Sequence, residues 1–110
     1  MAAANYNITV NQFADFSRSF QIKEDSVVLD ITGYSFKGEL KENFNSTTSV
    51  DFTATITTPA TGLFNIKLTD TQTTAMSPGT WMWDLNMTDA AGIVTRIIQG
   101  RAFISPGVTD

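Results

Sequence analysis

The chain has 110 residues, with seven Lys and Arg against eleven Asp and Glu, a formal net charge of −4, and neither His nor Cys. Those two absences exclude a disulfide framework, thiolate or imidazole metal sites, and any Ser-His-Asp or Cys-His catalytic group. The negative balance argues against a nucleic-acid partner, whose binding rests on neutralising phosphates with Lys and Arg.

Charged residues make up only 16% of the chain, below the usual quarter, and the polar fraction is rich in Thr. The branched Cβ of Thr suits pleated, half-exposed surface better than helix. Eight Phe, two Trp and two Tyr supply enough large apolar area for one core without covalent staples. A chain of this length is read as a single domain over residues 1–110. No apolar run approaches the ~20 residues of a membrane-spanning helix. Met1-Ala2-Ala3-Ala4-Asn5 lacks the basic and apolar regions of a secretion signal, so synthesis in a cytoplasm is expected.

Two-residue alternation marks most elements as half-buried strands. Residues 6–10 form a short strand candidate. Over 16–22, Phe16, Phe20 and Ile22 share a face with Arg18 among them, and 27–29 is a brief apolar run. Asp30 is placed to close an Asx-type turn onto a backbone amide before Thr32-Gly33. Tyr34, Phe36, Gly38 and Leu40 alternate with Ser35, Lys37, Glu39 and Lys41. After a polar loop at 42–49, Val50, Phe52, Ala54 and Ile56 alternate with Asp51, Thr53, Thr55 and Thr57. Phe64, Ile66 and Leu68 follow the breakers at 58–62.

The rhythm stops at 70–76. Thr69 or Asp70 caps one short helical turn there, Ser77-Pro78-Gly79 ends it, and Ala75 and Met76 are expected to plug the end of the fold. Trp81, Trp83, Leu85 and Met87 then alternate with Met82, Asp84, Asn86 and Thr88. Asp89-Ala90-Ala91-Gly92 reads as a hairpin loop with Gly92 at positive φ. The last strand, 93–104, is apolar on both faces at Ile97 and Ile98, and Gly100 within it marks a bulge or the crossing of another backbone.

About seven short strands and one helical turn predict an all-β, antiparallel, two-sheet immunoglobulin-like sandwich. Short arms are expected at 1–5 and 106–110. The predicted core is Phe36, Phe52, Phe64, Trp81, Trp83 and Leu85. Asp30, Gly33, Gly79 and Gly92 are the structural turn residues. The carboxylates fall singly on polar faces and loops, which predicts no catalytic pair, no metal and no cofactor. Arg96 is expected to pair with Asp84 across the last hairpin. An outward Met82 between two inward Trp, and the Thr-lined face at Thr53, Thr55 and Thr57, are the candidate interface residues.

Leu29-Asp30-Ile31-Thr32-Gly33-Tyr34, and Leu68-Thr69-Asp70-Thr71-Gln72-Thr73-Thr74-Ala75-Met76 followed by Pro78-Gly79-Thr80-Trp81-Met82-Trp83-Asp84-Leu85, resemble in order and spacing the signatures of small β-sandwich virion proteins of tailed bacteriophages. That family is similar to the N-terminal immunoglobulin-like domain of phage baseplate upper proteins. Ile8-Thr9-Val10-Asn11-Gln12 with Phe16-Ser17-Arg18-Ser19-Phe20 fits its opening, and Gly92-Ile93-Val94-Thr95-Arg96, Gly100 and Ile104-Ser105-Pro106-Gly107-Val108-Thr109 fit its close. Trp81 and Trp83 stand where the family has Tyr, and the 42–49 loop carries no shared pattern. The resemblance implies a non-enzymatic virion component of tail, baseplate, neck or head surface, made in the host cytoplasm. Its implied partners are other virion proteins and further copies of itself. The alternative expectation is an adhesion module for host-surface carbohydrate. With both Trp in the core, its aromatic platform is left to Tyr6, Tyr34 and Phe44.

Overall fold

A computed structural model describes residues 3–109. The strands among them are β1 (Ala4–Asn5), β2 (Ile8–Asn11), β3 (Phe16–Gln21), β4 (Lys23–Glu24), β5 (Val27–Val28), β6 (Ser35–Lys41), β7 (Val50–Asp51), β8 (Thr53–Thr58), β9 (Leu63–Leu68), β10 (Gly79–Thr88) and β11 (Val94–Ser105). A 3-10 turn at Pro59–Thr61 precedes β9, and helix α1 (Asp70–Thr74) precedes β10.

The larger sheet runs β1-β11-β10-β6-β7, with β2 also on β11, and the smaller runs β3-β9-β8. With β3, β9 and β8 facing β6, β10 and β11, this is the strand order of an immunoglobulin-type sandwich. Strand β10 shows why the alternating sequence builds it: Trp81, Trp83, Leu85 and Met87 are buried, while Met82, Asp84, Asn86 and Thr88 face outward and half-exposed. The facing strand β9 buries Phe64, Ile66 and Leu68. Aromatic rings bridge the two layers. Phe36 stacks on Phe64 at 4.1 Å with planes 6° apart, and Phe52 meets Trp83 edge-on at 5.7 Å. The buried apolar residues form one continuous cluster.

The structure departs from the sequence expectations in several places. The sandwich is not wholly antiparallel, because β1 and β2 both run parallel to β11. Which strand closes a sheet edge is a long-range matter that local alternation does not encode. The expected 50–57 strand is two strands in different sheets. The Phe52 N–H donates to Gly38 O of β6 at 3.0 Å, whereas Thr53 already pairs with Lys67 of β9. An inward side chain stays inward across such a switch, so the alternation hides it.

The 16–29 region is also divided. A separate two-stranded ribbon, β4 with β5, turns through Asp25 and Ser26 at φ 51° and 66°, the backbone of a two-residue hairpin turn with both central residues left-handed. Phe36, expected in the core, is only partly buried, packed on the margin of the core cluster. Met76 is buried as expected, but Ala75 is exposed at the helix C-cap.

Of the expected arm at 1–5, Ala4 and Asn5 are paired with Ile98 and Gln99. In the arm at 106–110, the Gly107 N–H donates to Gln12 Oε1 at 3.2 Å. Met1, Ala2 and Asp110 lie outside the described residues.

Candidate functional site

The expected turn residues shape the scaffold. Asp30 Oδ1 accepts from the Thr32 N–H at 3.0 Å and the Thr32 hydroxyl at 2.6 Å. The Thr32 hydroxyl, and after it the Thr32 amide, hold the Asp30 carboxyl below its ordinary 3.8. Gly33, Gly79 and Gly92 all have positive φ. In the β10–β11 hairpin, Asp89 Oδ1 takes the N–H groups of Ala91 and Ile93 at 2.9 and 3.0 Å. That loop fixes the register of the two longest strands.

Trp81 and Trp83 are 7% and 3% exposed, so they are core residues and not a stacking surface. Each indole N–H has a backbone acceptor, Ser77 O and Tyr6 O, both at 2.9 Å. Their burial leaves the outward side chains of the same strand to face a ligand or partner.

Those side chains form ordered rows across β6, β10 and β11. Met82 lies between Lys41 and Arg101, Asp84 between Glu39 and Gln99, and Asn86 between Lys37 and Arg96. The expected Arg96–Asp84 pair is present at 3.4 Å, and Lys37 approaches Glu39 at 3.7 Å. Lys41 and Arg101 make no ion pair among the described residues. The first two rows floor a groove of about 410 Å³, walled by Asn43 and Phe44 on one side and Asn5 and Arg96 on the other. This is within the size range of small-ligand sites. Phe44 is 82% exposed. Its loop is held by an Asx turn in which Asn43 Oδ1 accepts the Asn45 N–H at 3.0 Å, reinforced by Ser46 N–H to Asn43 O at 3.1 Å.

Of the candidate interface residues, Met82 is part of this groove, half-buried. Thr53, Thr55 and Thr57 are exposed on β8, at the opposite side of the sandwich and at the edge of the smaller sheet. The structure therefore separates them into two surfaces. Lys41, Arg101, Gln99 and Asn43 escaped the sequence reading as a set, because the rows exist only once strand order and register are known. The one legible signal was the polar half of each alternating strand.

The fold defines the chain as an all-β, two-sheet sandwich. No family model matches the sequence, and no curated relative matches it. Among solved structures, an internalin-like protein of Listeria monocytogenes is similar over 96% of this chain, at 13% identity and a TM-score of 0.46. This chain spans 28% of the length of that protein. Among the described residues, no helix is long and apolar enough to cross a membrane.

Proposed function

We propose that the chain is a non-enzymatic structural component of a tailed-phage virion, an assembly module of tail, baseplate, neck or head surface that works through protein–protein contacts. The ordered sequence resemblance is the reason for naming the particle. The observation that carries the assembly role is the edge strand β8. It presents Thr53-Ala54-Thr55-Ile56 as a regular edge of the smaller sheet, ahead of a register shift at Thr57, with no charged residue and no proline. Monomeric proteins ordinarily blunt such edges with Lys, Pro or very short strands, because an open edge is a template for another strand. Uncharged, Thr-rich β8 suits pairing with a second copy or a β-structured neighbour, since Thr–Thr cross-strand pairs are favourable and no like charges oppose.

Quantitative mass spectrometry of purified phage particles tests the particle, and sedimentation equilibrium tests the edge. The expected results are a fixed copy number per virion and a self-associating protein that Thr55→Lys converts to monomer. Absence from particles overturns the virion role; a monomeric wild-type chain that also leaves purified neighbouring virion proteins unbound overturns the edge. A second reading, an adhesion module for host-surface carbohydrate, is favoured by the exposed Phe44 ring on the rim of the groove.

A further inference from the structure

We infer that the groove over Met82 is a binding site for an acidic saccharide, with Lys41 and Arg101 taking its carboxylate and Phe44 stacking on a ring face. The inference rests on the second, carbohydrate-binding reading and names the ligand class for it.

Lys41 and Arg101 sit directly across from Met82 on its two neighbouring strands, so their Cα atoms are about 10 Å apart, two strand spacings. Both long side chains can close over Met82 onto one anion. The carboxylates of the next row, by contrast, already have Arg96 and Lys37 beside them. Positive charge without a partner is thus confined to one end of the groove, which suits a ligand with one acidic group rather than a polyanion.

The remaining lining has the chemistry of a hydroxyl reader. Glu39 and Asp84 accept, and Gln99, Asn5 and Asn43 both donate and accept. An extended acidic peptide is disfavoured by the floor. β10 is the middle strand, hydrogen-bonded to β6 on one side and β11 on the other, so a peptide finds no free main-chain edge there to pair with. An exposed aromatic ring held by a loop turn supplies apolar contact for the C–H face of a sugar.

Calorimetric titration of the full chain at low salt tests this with 3′-sialyllactose and methyl galacturonoside, each carrying one carboxylate, against the methyl ester of methyl galacturonoside, inorganic phosphate and a hexaglutamate peptide. Binding of at least one acidic saccharide is expected, with the neutral ester weaker by about tenfold, the scale of a hydrogen bond to a charged group. Arg101→Ala and Lys41→Ala each lose about the same factor. Phe44→Ala weakens both acidic and neutral probes, whereas Lys67→Ala, exposed on β9 of the opposite sheet, changes nothing. All four side chains are on the outer surface, so unchanged thermal midpoints verify folding. Equal binding of ester and acid overturns the acidic assignment and leaves the carbohydrate reading standing. Binding of phosphate or hexaglutamate as tight as the saccharides makes it an anion or peptide site and overturns the proposal. No binding by any saccharide overturns both.

Discussion

The indole N–H of Trp83 donates to the carbonyl of Tyr6 at 2.9 Å across 77 positions of chain, and that carbonyl occupies the space a Cβ on Gly100 would fill. Gly100 is the register partner of Trp83 on β11. Between β1 and β2 the chain bends inward here, and Asn7 Oδ1 takes the Arg101 N–H at 3.0 Å. A Cβ at position 100 would overlap the carbonyl oxygen of Tyr6. Because the obstacle is backbone, relief requires moving the N-terminal strand. Gly100→Ala is expected to destabilise by about 3 kcal/mol, the upper end of overpacking costs. Trp83→Phe should cost a similar amount, since it leaves the carbonyl unpaired and vacates core volume. Urea denaturation of both single variants and the double variant should show a sum well short of additive, because both act on one carbonyl.

Gly38 of β6 lies beside Phe52, where the chain changes sheets. A Cβ there would meet Leu85 Cδ1 at 2.8 Å, Phe52 Cδ2 at 2.9 Å and Asp84 O at 3.1 Å. Gly38 thus gives Phe52 room to lie under β6 as the backbone crosses to β9. Gly38→Ala should cost about 1–3 kcal/mol from overpacking, and Phe52→Ala about 3–5 kcal/mol from the cavity. Gly79 has open space around it at φ 132°, so Gly79→Ala carries only backbone strain, about 1–3 kcal/mol. A Gly38→Ala loss that is undiminished in the Phe52→Ala background would contradict the packing account.

These positions show what the sequence could and could not disclose. Alternation marked Trp81, Trp83 and Leu85 as inward because side-chain period is a local property of a strand. The Asp30 and Gly92 turns were legible for the same reason, since their hydrogen bonds close within four residues. The sheet switch at Phe52 and the parallel pairing of β1 and β2 depend on partners tens of residues away. The Met82 groove depends on three registers at once. Its members were visible one at a time as polar alternates, while their assembly was not. Gly100 was an intermediate case: a glycine inside a strand signalled a close backbone approach without naming Tyr6 as the other party.

Helix α1 is too short to persist through its own hydrogen bonds, so its capping box matters. Thr69 Oγ1 accepts the Gln72 N–H at 3.2 Å, and Gln72 Oε1 accepts the Thr69 N–H at 2.9 Å. Gln72 Nε2 also donates to Asp51 O at 2.8 Å, beside the sheet switch. Thr69→Ala should cost about 1 kcal/mol as a lost N-cap. Gln72→Glu keeps the acceptor but loses the donor to Asp51 O, so it should destabilise although the capping box survives. Thermal unfolding at neutral pH distinguishes the two contributions.

Asp84 and Glu39 are directly opposed across β10 and β6, an unfavourable like-charge pairing. Arg96 and Lys37 offset it at 3.4 and 3.7 Å. Since these side chains are substantially exposed, solvent screens them, and Arg96→Ala should cost less than about 1 kcal/mol. Glu39→Gln should be neutral or slightly stabilising. Raising salt should narrow the difference between wild type and Arg96→Ala, because surface charge interactions are screened within about 10 Å at 0.1 M.

Asp30 makes the pH dependence of the fold predictable in sign. Its carboxylate is held below the ordinary 3.8 by the Thr32 hydroxyl and then by the Thr32 amide. A group whose folded pKa is depressed stabilises the native state fully above the unfolded pKa. That contribution declines as pH falls below 3.8, where the unfolded chain takes up the proton first, and is gone once pH passes the lower folded value. Asp30→Asn keeps a side-chain oxygen to accept the Thr32 N–H but cannot titrate. The variant should therefore lose less stability than wild type between pH 4 and pH 2, with any difference at neutral pH remaining flat. Carboxyl carbon NMR should place the folded Asp30 midpoint below 3.8. In Thr32→Val, which keeps the backbone donor and removes the hydroxyl, the midpoint should move back toward that value. A midpoint unmoved by Thr32→Val would mean that the hydroxyl bond does not hold the carboxylate.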